Sequence, residues 1–139
     1  MVLGIVVLAA NGVAGGWGAV AWLRDTPSVW FWYLLRVAQG AVAVQVIGGL
    51  LLLARGETSP DGLHIAYGVA PLVVTLFSEG LRAGAAQREL EDVEDVDSLE
   101  RAEQIAVARR VELAEMGVMT VGALLILTLA LRAYQTGGA

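Results

Sequence analysis

The chain has 139 residues, 57% of them apolar, with a mean hydropathy of +0.67. A soluble domain of this length cannot bury so much apolar surface, so lipid must supply part of its interior. There is no cysteine, which excludes disulfides, thiolate metal sites, iron–sulfur clusters and cysteine nucleophiles within the chain. The formal charge of −5 comes chiefly from residues 89–115, and the sequence offers no basic surface for nucleic acid.

Four apolar spans of bilayer length are expected, at residues 2–23, 30–54, 63–81 and 113–131. They predict an all-α integral membrane protein, a single four-transmembrane-helix bundle over residues 1–139. Ala19-Val20-Ala21 has the small-residue look of a cleavage site, but Met1 to Gly4 carries no basic residue. The first span is therefore read as a membrane helix and not as a signal peptide.

Orientation follows from the polar breaks at residues 24–28, 55–62 and 82–112. With the N-terminus outside, Arg24, Arg36, Arg82, Arg88, Arg101, Arg109 and Arg110 are cytoplasmic, against Arg55 and Arg132 outside. Both termini then face outward, consistent with a bacterial plasma membrane. Trp17, Trp22, Trp30, Trp32 and Tyr33 are expected to form an aromatic belt at the inner interface.

On the first span, Gly4, Asn11, Gly15, Gly18 and Trp22 share a face; on the second, Ala38, Ala41, Gln45 and Gly48 or Gly49 do. Small residues allow close helix approach, within the chain or in a homodimer. Asn11 and Gln45, each near mid-membrane, are expected to bond to each other, at about 0.6–2 kcal/mol.

The third span carries a polar stripe of His64, Tyr67 or Gly68, Pro71, Thr75, Ser78 and Arg82, with a kink expected at Pro71. Near its cytoplasmic end, Glu79 and Arg82 lie at the depth of Arg36, so a structural Glu79–Arg36 pair is expected. Helices 3 and 4 should continue beyond the membrane as a cytoplasmic antiparallel hairpin over about residues 83–112. Its facing rows would be Ala83, Ala86, Leu90 and Val93 against Leu99, Ala102, Ala106 and Leu113. A capping box of Asp97 and Glu100 would start the second arm, and Arg88–Asp92 and Asp97–Arg101 would pair along it. The acidic run from Glu89 to Asp97 lacks the alternating ligands and central glycine of a calcium loop and reads as a solvated tip.

The lone histidine, His64, at the outer start of the third span, either bonds to the adjoining turn or ligates heme. Gln45, Gly48 and Gly49 in VQVIGGLLLLA, then Pro60 in a short outer loop, then Leu63-His64 opening the next span, resemble the heme A synthase family. The likeness covers residues 36–82, about a third of the chain. It implies half of such a four-helix membrane fold with His64 as heme ligand. That family has histidine pairs and a Glu-x-x-His-Arg segment; here Trp32 to Arg36 contains neither acid nor histidine. The resemblance therefore implies heme binding at His64 without heme oxidation.

No P-loop, nucleotide fingerprint or HExxH motif is present, and no catalytic residue is assigned. The sequence supports a small non-catalytic multi-pass membrane protein, an accessory factor or subunit of a larger membrane assembly. The alternatives are a heme-binding or electron-transfer module using His64, and an oligomeric channel or transporter lined from Thr75 to Arg82. The residues singled out are His64 for a cofactor, and Asn11, Arg36, Gln45, Glu79 and Arg82 as intramembrane polar groups.

Overall fold

The computed structural model describes residues 2–57 and 62–137, apart from the side chains at 63, 64, 136 and 137. Among these residues there are four α-helices, α1 (Val2–Leu23), α2 (Val29–Ala54), α3 (Gly62–Leu90) and α4 (Arg101–Gly137), one 3-10 turn (Val96–Ser98) and no strand. All four helices are long and apolar enough to cross a membrane. The α4 helix, of 37 residues, packs against both α1 and α3, while α1 also packs on α2.

Local chemistry explains the helix ends. After α1 the Asp25 N–H bonds the Trp22 carbonyl at 3.0 Å and the Thr26 N–H bonds the Ala21 carbonyl at 2.9 Å, with Asp25 in the left-handed region at φ 49°. This is a Schellman ending, with Pro27 just beyond to prevent continuation. Ser28 then caps α2: its Oγ accepts from the Phe31 N–H and, at 2.8 Å, from Trp17 Nε1. The same C-terminal motif closes α2, where Gly56 (φ 85°) and Glu57 bond the carbonyls of Leu53 and Leu52.

Two apolar clusters form the interior. One joins Ala21, Phe31, Leu35, Met116, Met119 and Ala123; the other joins Val7, Val42 and Ile126. Asn11 and Gln39 fall between the two clusters along α1 and α2. Outside them, Val44, Leu50, Val73, Phe77 and Leu125 are exposed, an arrangement that lipid stabilises and water does not. Trp17, Trp22, Trp30 and Tyr33, expected as an aromatic belt, are also exposed. Trp32 departs from that expectation: it turns inward against the first cluster.

The small-residue face of α1 meets α4. A Cβ at Gly18 would run into Thr120 and Phe31, and one at Gly15 would meet Leu124. Trp22, on the same face, lays its partly exposed ring against Gly117 of α4, whereas Gly4 is exposed. Between α3 and α4 the corresponding approach is at Gly122, where a Cβ would collide with the Ser78 side chain. α3 runs through Pro71 as one continuous helix, and Thr75 Oγ1 donates to the Pro71 carbonyl at 2.8 Å.

Residues 91–100 connect α3 to α4. The expected capping box of Asp97 and Glu100 gives way to a single side-chain cap three residues later: α4 begins at Arg101, and the Glu103 carboxylate accepts from the Glu100 N–H at 3.2 Å. Asp95, not Asp97, caps the 3-10 turn. Gln104 Nε2 ties that turn to α4 by donating to the carbonyls of Val96 and Leu99. The expected Arg88–Asp92 and Asp97–Arg101 pairs would each have to straddle a helix end, because α3 stops at Leu90 and α4 starts at Arg101. In their place Arg110 Nε pairs with Glu89 between the helices, at 3.5 Å. The facing row on α4 also shifts, since Val107 is buried while Ala102 and Ala106 are exposed.

Candidate functional site

Three helices bring charged side chains to one level. Arg36 and Gln39 are one turn apart on α2, as are Glu79 and Arg82 on α3, so each pair shares a helix face. Glu79 Oε1 accepts from Arg36 Nη1 and from Gln39 Nε2, both at 2.8 Å, and its Oε2 accepts from Arg82 Nε at 2.9 Å. Arg82 Nη1 reaches Glu115 Oε1 on α4 at 3.2 Å, and Arg36 Nη1 also donates to Gln39 Oε1 at 2.6 Å. The Arg82 guanidinium lies over the Trp32 ring, 5.6 Å from its centroid, which accounts for the inward turn of that tryptophan.

The cluster contains two arginines and two glutamates, so its formal charges cancel. Charge is costly near hydrocarbon, and pairing it lowers that cost. Glu79, Arg82 and Glu115 are only 22–29% exposed, whereas Arg36 is 56% exposed. The Arg82 links are therefore the better shielded from water, and Arg36 behaves as a surface pair worth under about 1 kcal/mol. The arrangement clamps α2, α3 and α4 together through Glu79 and Arg82.

Toward the membrane interior, Gln39 also borders a cavity of about 10 Å³ lined in part by Asn11, Thr75 and Ser78, the size of a single water. Asn11 is buried, and its Nδ2 donates to the Val7 carbonyl one turn earlier, at 2.9 Å. The expected Asn11–Gln45 bond is thus not made, and Gln45 Oε1 is buried with no hydrogen-bond partner. The reason is the packing of α1, which directs its polar and small residues toward α4.

Of the residues expected from sequence, Arg36, Glu79 and Arg82 come together; Asn11 and Gln45 stand apart from them and from each other. His64 lies in the first turn of α3, and its side chain is outside the described residues. Gln39, Glu115 and Trp32 belong to the cluster and were not anticipated. Depth matching would have found Glu115, the third residue of the expected fourth span, and i,i+3 spacing from Arg36 would have found Gln39. Comparison of the chain with protein-family models, with curated proteins and with solved structures finds no match.

Proposed function

We propose that this chain is a small non-catalytic multi-pass membrane protein, an accessory factor or subunit of a larger membrane assembly. In this reading the four helices form a bundle in the bilayer with both termini outside. Residues 83–112 project into the cytoplasm as a helical hairpin that contacts the assembly. The observation that carries it is the Glu79 carboxylate, both of whose oxygens are engaged by Arg36, Gln39 and Arg82. A carboxylate held by two guanidiniums serves as a fixed brace between helices, and a proton-relay role would call for one free to exchange.

Helix length supports the projection. At about 1.5 Å per residue, α4 is about 55 Å long, against a hydrocarbon core of about 30 Å. The surplus lies at the end that also carries the acidic connection. The test is affinity purification of the full-length protein in mild detergent, after crosslinking through a cysteine introduced at Ser98. Co-recovery of a defined membrane complex is the expected result. Recovery of the chain alone from native membranes, with and without crosslinker, would overturn the reading.

A further inference from the structure

Beside the charge cluster, where the α3–α4 connection approaches α2, lies an open groove of about 480 Å³. Trp32, Leu90, Val96, Val107 and Val111 supply its apolar lining, and Glu112 also lines it. Glu112 is half-buried, and among the described residues it is in no ion pair. A carboxylate partly withdrawn from water beside apolar side chains is stabilised by a cation brought to it. The surroundings have the same sign: residues 89–115 hold ten acids against three arginines. Two of those arginines are already engaged, Arg109 with the Asp25 carbonyl and Arg110 with Glu89.

We infer that this groove docks a cationic amphipathic helix of a partner protein. The partner's apolar face covers Val107, Val111 and Trp32, and a lysine or arginine at the edge of that face meets Glu112. An apolar floor with a charged rim is how such helices are received in grooves. A second copy of this chain is a poor occupant, because its own segment carries the same acidic excess and would be repelled. The inference rests on the accessory reading and names the chemistry of the partner.

The test uses the full-length protein in nanodiscs of zwitterionic phosphatidylcholine, with empty nanodiscs as reference for lipid partitioning. The probe is a fluorescent helical peptide of leucine and lysine, with a leucine–glutamate peptide of the same pattern as control. The cationic peptide is expected to bind the loaded nanodiscs above the empty ones, with affinity falling as salt rises. Glu112→Lys should weaken it by about tenfold or more and Glu112→Gln by less, at unchanged helix content. Equal binding to empty nanodiscs, equal binding of the acidic peptide, indifference to salt or to Glu112→Lys, or crosslinking of Val111→Cys to a second copy would each overturn it. If the peptide fails to bind while a membrane complex is still recovered by purification, the groove assignment falls and the accessory reading stands.

Discussion

Glu79 on α3 and Arg36 on α2 meet at 2.8 Å, and the glutamate oxygen that meets Arg36 also accepts from Gln39 at 2.8 Å. The other oxygen holds Arg82, so removing the Glu79 carboxylate leaves two guanidiniums without it, whereas removing Arg36 leaves a glutamate still held by Arg82 and Gln39. Glu79→Ala is therefore expected to lower stability by about 2–3 kcal/mol, and Arg36→Ala by under about 1 kcal/mol. Denaturation of the detergent-solubilised variants ranks them; equal losses would refute the central position of Glu79.

Close approach of α1 to α4 depends on Gly18. Gly18→Ala places a methyl group against Thr120 and Phe31 and is expected to cost about 1–3 kcal/mol, as overpacking does. At Gly16 a Cβ meets nothing within 4 Å, so Gly16→Ala should be neutral or slightly stabilising. Thermal melting of the pair in one detergent checks the contrast.

Gln45 keeps a buried carbonyl oxygen with no partner. Replacing an unsatisfied polar group by an apolar one of similar size removes a desolvation cost, so Gln45→Leu should leave stability unchanged or raise it by about 1 kcal/mol. A loss of about 0.6–2 kcal/mol would instead indicate an interhelical bond of the kind the sequence suggests with Asn11.

Since the chain has no cysteine, single-cysteine labelling reports orientation without background. Ser98→Cys should react with a membrane-impermeant maleimide only after cells are opened, and Glu57→Cys in intact spheroplasts. The reverse pattern would invert the topology drawn from the arginines.

On the accessory reading, hemin added to the purified protein should give no Soret band that depends on His64. A Soret shift lost in His64→Ala would replace that reading with a heme-binding one.

Span number and span position were legible from hydropathy: α1 matches residues 2–23 to the residue, and α2 begins one residue before the expected 30. The Glu79–Arg36 pair was legible too, because arginines and glutamates avoid hydrocarbon and are driven to pair near it. The hairpin register was not, because it depends on where α3 stops and α4 starts, and a local contest of caps at Asp95 and Glu100 decides that.

By itself, then, the amino-acid order determined that this is a chain of four apolar helices with its charge gathered at the ends, since hydropathy and charge act on each residue separately. Which helix each polar group faces was decided only by tertiary packing. The glycines of α1 admit α4, so Asn11 turns back on its own helix and the Gln45 carbonyl oxygen is left unpartnered. Arg82 reaches across to Glu115 and holds its guanidinium over the Trp32 ring. These contacts depend on distances between helices, and single-chain periodicity carries the facing direction of a side chain without the identity of its neighbour.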